Sequence, residues 1–391
     1  MKRIGIYGGT FNPPHLGHFR AAQYALRVLS LDALLVIPSC ISPHKKLPAG
    51  SADPRQRLEM TKLCFEDGAF TVSDIELSRG GTSYTYETVE SLRAQYPDTE
   101  LVLLMGTDMF LSFLNWVNPE RILSCVSLGV FYRGDRDEVE AVAKQKKCLE
   151  EKGAKVYLMD NPVTEISSTD LRRMLVFDCA DAYLSPKVLD YIKSKGLYGC
   201  NENLHALPEE KLEEVVKGLL KPNRVAHVLG CRDTAVELAK LWGADPVHAA
   251  RAALLHDVTK ALDGPLQLTL CDAYGIILNN FSTQNPKTLH ALTGSLVAER
   301  IFGEAPEIVS AIRSHTTGKA GMNTLEKIIY VADYMEPNRD FPGVEELRYL
   351  ARTDLDGALR RGLEMTLEVL KQEGKEISPE SREALDFLNK S

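Results

Sequence analysis

The sequence predicts an α/β domain built on a parallel sheet, followed by an all-α domain. Three observations carry this expectation. Through the first half of the 391 residues, short apolar runs alternate with amphipathic segments, as parallel strands do when crossover helices cover both faces of their sheet. Beyond residue 206, helix follows helix, punctuated by Pro and Gly. Between the two halves, "CNENLHALPEE" is polar, carries a proline and has no period, which puts the boundary at residues 200–206. No internal repeat or low-complexity tract interrupts either half.

The first strand is "KRIGIYGG", and the amphipathic "LGHFRAAQYALRVL" is its helix. "ALLVIPS" and "PRQRLEMTKLCF" form the next strand and helix, then "FTVSDIEL" and "SYTYETVESLRAQY". "ELVLLMG" and "VSLGVFYR" are strands around a helical segment at 108–123. "AKVYLMD" is the last strand, and a helix opens at "SSTDLRRML". In the second half the helices are "EEKLEEVVKGLL", "NRVAHVLGCRDTAVELAKLWG", "PVHAARAALLHDVTKAL", "NPKTLHALTGSLVAERIFG", "PEIVSAIRSHTTG" and "TLEKIIYVADYME". The final stretch is charge-rich helix without a motif.

Apolar residues make up 44% and charged residues 26%, ordinary for a globular chain. No apolar run approaches the roughly 18 residues of a membrane span. "MKRIGIYGG" turns at once into strand and glycine, without the apolar core of a signal peptide. The expectation is a cytoplasmic protein without membrane contact. A net charge of −8 argues against a broad nucleic-acid surface, yet a nucleotide needs only a local anion site. The eight cysteines include no C-x-x-C pair, so neither a zinc knuckle nor a disulfide framework is indicated. Oligomeric state stays open, a homo-oligomer included.

"GGTFNPPHLGH" stands at the end of the first strand, where ligands sit on such sheets. Gly8, Gly9 and the amides of Thr10 and Phe11 can approach phosphate, aided by the dipole of the next helix. His15 and His18 lie about one turn apart on one helix face, ready to donate to phosphate oxygens. "ISSTDLR", Ile166 to Arg172, is a second anion motif: Ser167, Ser168 and Thr169 open a helix with hydroxyls and amides, and Arg172 follows one turn in. Either alone could be an ordinary turn or cap; two at strand-to-helix junctions are a stronger signal.

The H-x-G-H pair and the I-S-S-T-x-x-R word resemble those of the Rossmann-like nucleotidyltransferase superfamily. The resemblance implies that the histidines bind ATP phosphates with Mg²⁺ assisting. Three further pieces resemble nicotinate-nucleotide adenylyltransferases. "IPSCISPHKK" implies that His44 and Lys45 contact the acceptor mononucleotide. "GTSYTYETV" places Thr85 near the pyridine carboxylate. "MGTDMFLSFLNW" puts Gly106 and Asp108 near adenosine and Trp116 on the pyridine ring; an aromatic face suits a flat heterocycle. The resemblance covers residues 1–200 and implies transfer of AMP from ATP to nicotinate mononucleotide, giving deamido-NAD and pyrophosphate. Pantetheine-phosphate adenylyltransferases share the two phosphate motifs in looser form but lack the S-Y-T and W pieces.

The second half holds His205, His227, His248, His256, His290 and His315. The pair His256–Asp257 falls inside an alanine- and leucine-rich helix. His227 shares a stripe with Cys231 and Ala235, and His290 with Gly294, Val297 and Ala298. His315 follows Ala311 and Ile312, and Asp333 lies four after Ile329. One histidine on an apolar face is usually a satisfied core residue. Four such histidines plus an inward aspartate are costly to bury unless they converge, and a divalent cation would offset that cost.

The order H…HD…H…H…D resembles the HD-domain phosphohydrolases with a two-metal site. That resemblance assigns His227, His256, Asp257 and Asp333 to one metal and His290 and His315 to another, with Asp257 bridging. Nitrogen-rich ligation favours iron or manganese over magnesium. "RVAHVLGCRDTAVELA", "ALLHDVTKAL" and "SHTTG…LEKIIYVADYMEPNRDFPG" look most like the symmetrical bis(5'-nucleosyl)-tetraphosphatase type, which splits diadenosine tetraphosphate into two ADP. Lys260 then joins Asp257 in catalysis by meeting a phosphate, and Arg339 is a second candidate. The expectation for residues 206–391 is an all-α HD domain with its own hydrolase activity; a nucleotide-sensing module or another nucleotide substrate is the alternative. His205 and His248 fall outside the pattern and read as structural.

Overall fold

In a computed structural model describing residues 2–43, 47–132, 136–160 and 166–390, the apolar runs of the first half become six parallel strands. They are β1 (Lys2–Gly9), β2 (Ala33–Pro38), β3 (Phe70–Val72), β4 (Thr99–Gly106), β5 (Ser127–Tyr132) and β6 (Val156–Asp160). Their order is β3-β2-β1-β4-β5-β6. Gly8 pairs with Ile37 on one side, and Tyr7 with Leu104 on the other. Ile4, Ile6, Leu101 and Leu103 of the central strands are buried beneath Val89, Leu92, Phe110 and Ile122. The helices are α1 (Leu16–Val28), α2 (Pro54–Cys64), α3 (Ile75–Arg79), α4 (Thr85–Gln95), α5 (Thr107–Leu111), α6 (Pro119–Cys125), α7 (Arg136–Glu151), α8 (Ser168–Val176) and α9 (Pro186–Lys195).

Three details depart from the sequence reading. The strand expected through "FTVSDIEL" stops after Val72, and its second half is α3. This is an edge strand, so nothing outside it rewards further extension. The helical segment at 108–123 is α5 and α6 separated by a 3₁₀ turn, Phe113–Asn115. Asn118 in the left-handed region and Pro119 at the start of α6 break the run. Helix α7 was not expected; it supplies the crossover that parallel β5 and β6 require.

The chain divides into two compact units, Met1–Glu202 and Asn203–Ser391. The second contains α10 (Glu209–Leu219), α11 (Val225–Trp242), α12 (Pro246–Leu255), α13 (Gly264–Ala273), α14 (Asn280–Gln284), α15 (Leu289–Arg300), α16 (Pro306–Ser314), α17 (Thr324–Met335), α18 (Val344–Thr353), α19 (Leu355–Gln372) and α20 (Pro379–Leu388), without a strand among its described residues. Helix α11 packs on α12 and α17, and α16 packs on α15, α12 and α17. The expected long helix through "ALLHDVTKAL" ends at Leu255, and His256 is its C-cap. No helix among the described residues is long and apolar enough to cross a membrane.

Candidate active sites

Strand order reverses between β1 and β4, opening a crevice outside their carboxyl ends. A cavity of about 630 Å³ occupies it. Gly8, Gly9, Thr10, Phe11, His15 and His18 line it from the loop after β1. Gly106 and Asp108 enter from the end of β4, and Ile166, Ser167, Ser168, Thr169 and Arg172 from the start of α8. A second cavity, about 240 Å³, is lined by Thr85 and Trp116 and shares Gly8, Gly9, Thr10 and Gly106 with the first. His44 and Lys45 lie outside the described residues.

His15 is the N-cap of α1. Its Nδ1 accepts the His18 N–H at 3.4 Å, and the His18 Nδ1 accepts the His15 N–H at 3.2 Å. Burial lowers the His15 pKa to about 4 and drives His18 well below the ordinary value, with His15 adding to the latter. Both rings are therefore neutral at pH 7, and with Nδ1 accepting, each carries its hydrogen on Nε2. Phe11 takes the left-handed region at φ 48, and a Cβ on Gly9 would come within 3.0–3.2 Å of its ring. Gly9 thus makes room for Phe11, whereas a Cβ on Gly8 meets none of the described residues within 4 Å.

The hydroxyls of the second motif are occupied within the protein. Ser167 Oγ accepts from the Asp170 N–H at 3.0 Å and donates to Asp170 Oδ2 at 2.6 Å. Ser168 Oγ donates to Pro13 O, and Thr169 Oγ1 accepts from Arg172. The Ser168 bond ties α8 to the loop after β1, and the Ser168 and Thr169 amides are left as anion donors. Arg172 also donates to Asn12 O at 2.8 Å. In the second cavity, Glu76 is buried and accepts from Thr88 Oγ1 at 2.8 Å. Burial raises its pKa.

In the helical unit, four buried histidines and two aspartates converge. His227 Nε2 lies 3.4 Å from His256 Nε2 and 3.1 Å from Asp333 Oδ1. His290 Nε2 lies 3.2 Å from His315 Nε2 and 3.4 Å from Asp257 Oδ1. Asp257 spans the two groups, its Oδ2 lying 3.5 Å from His256 Nε2. The Nδ1 atoms face acceptors: Ala253 O for His256, Ile312 O for His315, Lys287 O for His290 and Glu336 Oε1 for His227. Every Nδ1 thus carries hydrogen, and the Nε2 lone pairs face one another and the carboxylates, with the Lys260 ammonium reaching that of His290 alone.

That arrangement is repulsive unless cations lie between the atoms. Asp257 Oδ1 is buried and has no hydrogen-bond partner among the described residues. Two donor groups, His227–His256–Asp333 and His256–Asp257–His315, each bring ligand atoms within 4.8 Å of one another. The donor set fits divalent metal. Burial lowers the pKa of His290 to about 3 and of His315 to about 4, keeping both neutral as ligands must be. Burial works against ionised Asp257, but His256 and Lys260 outweigh it and hold its pKa below the usual carboxylate range.

A cytidylyltransferase-like family model matches residues 6–174, and an HD domain model matches residues 224–338. A symmetrical bis(5'-nucleosyl)-tetraphosphatase of Halalkalibacterium halodurans is 41% identical over 177 residues, which are 44% of this chain and 91% of that protein. A probable nicotinate-nucleotide adenylyltransferase of Exiguobacterium sibiricum is 35% identical over 199 residues, 50% of this chain and 98% of that protein. The chain belongs to both families. A crystal structure from Clostridium acetobutylicum, described as a predicted HD superfamily hydrolase involved in NAD metabolism, is 36% identical. It covers 47% of this chain and 98% of its own, with a TM-score of 0.46.

Several residues of this adenylyltransferase–HD fusion escaped the sequence reading. Arg57 is fully buried under the adenylyltransferase loops, donating to Thr10 O at 2.6 Å, Ser39 O at 2.7 Å and Cys40 O at 2.9 Å. It gathers the carbonyls that end β1 and β2, so the amides can face the cavity. In the HD half, Arg224 donates to Asp257 Oδ2 at 2.5 Å. The two cations that the sequence did name stand beside it: Arg339 donates to Asp333 Oδ1 at 2.8 Å, and Lys260 Nζ lies 2.8 Å from His290 Nε2. Glu336, buried behind His227, is the third residue missed. Arg224 stands three residues before His227 and Glu336 three after Asp333, so proximity to the motif was the one local signal.

Proposed function

We propose that the chain is a bifunctional enzyme. Residues 1–200 form the nicotinate-nucleotide adenylyltransferase, and residues 206–391 the HD phosphohydrolase that cleaves diadenosine tetraphosphate into two ADP. The observation that carries the first activity is the meeting of two cavities at Gly8–Thr10 and Gly106. ATP occupies the larger, with Mg²⁺ on its phosphates, and nicotinate mononucleotide the smaller, beside Thr85 and Trp116. An acceptor phosphate oxygen attacks the α-phosphorus as the bond to the bridging oxygen of pyrophosphate breaks. His15 and His18 Nε2–H, the α8 amides and Arg172 stabilise the charge, with no covalent enzyme intermediate.

The second activity rests on the facing Nε2 lone pairs. His227, His256, Asp257 and Asp333 would hold one divalent cation, and His290, His315 and Asp257 another, iron or manganese by donor type. Such a pair supplies a nucleophilic water near neutral pH and charge neutralisation at phosphate. Lys260, Arg224 and Arg339 then bind the phosphate oxygens that surround the cleaved bond. Water adds to one phosphorus, the P–O–P bridge breaks at the middle of the tetraphosphate, and each half leaves as ADP.

The test is an assay of the whole chain with ATP and nicotinate mononucleotide, and separately with a panel of dinucleoside polyphosphates and mononucleotides under Fe²⁺, Mn²⁺ and Mg²⁺. Deamido-NAD formation and ADP from diadenosine tetraphosphate are expected. A metal-loaded chain that binds but never cleaves these nucleotides turns the second half into a sensing module.

A further inference from the structure

The four histidines of the metal centre are not held alike. His256 and His315 are C-cap residues and His290 follows a 3₁₀ turn, Pro286–Thr288. Each donates Nδ1–H to the carbonyl three residues earlier, at 2.6, 2.6 and 2.8 Å. Ala253 O and Ile312 O belong to the last turns of their helices, where carbonyls lack the usual partner four residues on. His227 stands in the first turn of α11 after a 3₁₀ turn, Pro222–Arg224, much as His290 stands in α15, yet its ring finds a different kind of partner. Its Nδ1 turns instead to a carboxylate 109 residues away, Glu336 Oε1 at 3.1 Å.

Glu336 is fixed for this task. It is 1% exposed, and its Oε2 accepts twice from Asn338, from N–H and from Nδ2, both at 2.8 Å. Asn338 Nδ2 also donates to Ala226 O of α11 at 3.2 Å, so the amide cannot turn its oxygen to Glu336. One carboxylate oxygen is thereby committed to Asn338 and the other to His227. Gly230, one turn beyond His227, is bare because Glu336 Oε2 lies where its Cβ would be.

We propose that Glu336 is a positioning residue that keeps the His227 hydrogen on Nδ1 and strengthens Nε2 as a donor, making the His227–His256–Asp333 group the tighter of the two metal sites. A carboxylate behind a ligating imidazole raises its basicity and fixes its ring, which a backbone carbonyl does more weakly. The inference rests on the metal-centre reading above and adds an asymmetry between its halves.

The experiment titrates the metal-free full chain with Mn²⁺ and follows the free-ion EPR signal. Wild type binds two Mn²⁺ in two steps. In Glu336→Gln the two Asn338 donors hold the amide oxygen, so the amide nitrogen faces Nδ1 and drives the His227 hydrogen onto Nε2. The tighter step then weakens roughly 10- to 100-fold, the usual effect of such a partner, while the weaker step stays within threefold or so. Glu336→Ala gives the same pattern. His290→Ala is the complement, weakening only the second step. Circular dichroism of the metal-free variants monitors folding. Unchanged Mn²⁺ affinities in Glu336→Gln, or equal weakening of both steps, overturn this inference alone. A wild-type chain that takes up no Mn²⁺ overturns the metal-centre reading with it.

Discussion

His15 and His18 cap each other: each ring Nδ1 accepts the other's backbone N–H. Because the cap occupies both Nδ1 lone pairs, both Nε2–H groups are left as donors, in the cavity that Gly8 and Arg172 also line. Cap and catalysis therefore separate by substitution. His18→Ala removes the donor and the half of the cap that His18 Nδ1 supplies to the His15 N–H, and His18→Asn restores a short acceptor without a donor at the Nε2 position. Both should lower adenylyl transfer by about 10²–10³, the scale for a lost charge-stabilising donor. The Ala variant should also lose roughly 1 kcal/mol of stability. Near-wild-type turnover in His18→Asn would leave the ring as a cap alone.

The same burial makes the first domain sensitive to acid. His15 titrates at about 4 when folded, against 6.5 ordinarily, so between these values the unfolded chain binds a proton that the folded chain does not. Its contribution is fully present above pH 6.5 and is lost as pH falls towards 4. It amounts to no more than about 3 kcal/mol. Urea unfolding at a series of pH values should show a shallower acid loss for His15→Asn, which retains a capping oxygen and does not titrate. Identical pH dependence in the two proteins rules the linkage out.

Much of this was legible in the sequence, for physical reasons. Buried parallel strands are continuous apolar words, so β1, β2, β4 and β5 stand out. The motif histidines sit at helix ends or on apolar faces, and their spacing places them together. Helix termini were less legible: the pattern "ARAALLHDV" continues through His256, yet α12 ends at Leu255. The free carbonyl at that end is what orients the His256 ring, so the misread terminus is a functional feature. Arg57 and Glu336 were invisible because the partners that give them a role, Thr10, Ser39 and Cys40 for Arg57 and His227 for Glu336, lie 17 to 109 residues away, and no local period marks a buried charge whose partners are brought by tertiary packing.

Asp257 has one oxygen toward each half of the metal centre. Asp257→Ala should therefore reduce bound metal from two ions to at most one. Hydrolysis of diadenosine tetraphosphate should fall by more than ~100-fold, the loss already seen when a group that merely supports a ligand is removed. Adenylyl transfer by the same preparation should stay within about twofold of wild type, since Asp257 belongs to the other compact unit. Elemental analysis with both assays on one sample checks this. Loss of both activities together would mean that the substitution unfolds the chain or that the sites are coupled.

Adjacent glycines at the end of β1 should answer the same substitution differently. A methyl on Gly9 meets the Phe11 ring at 3.0–3.2 Å, and Phe11 is 2% exposed with no free direction to retreat. Phe11 already holds a left-handed backbone at φ 48, so its loop has little slack. Gly9→Ala should cost about 1–3 kcal/mol, as overpacking does. A methyl on Gly8 meets no atom of the described residues within 4 Å, and Gly8 lines both cavities. Gly8→Ala should leave stability within about 1 kcal/mol of wild type, near the intrinsic glycine-to-alanine difference. It should nevertheless raise the KM for ATP or nicotinate mononucleotide, because the methyl takes space where the two substrates meet. Chemical denaturation and steady-state kinetics on both variants read the two effects separately. A stable Gly9→Ala and an unstable Gly8→Ala would reverse the roles assigned to this pair.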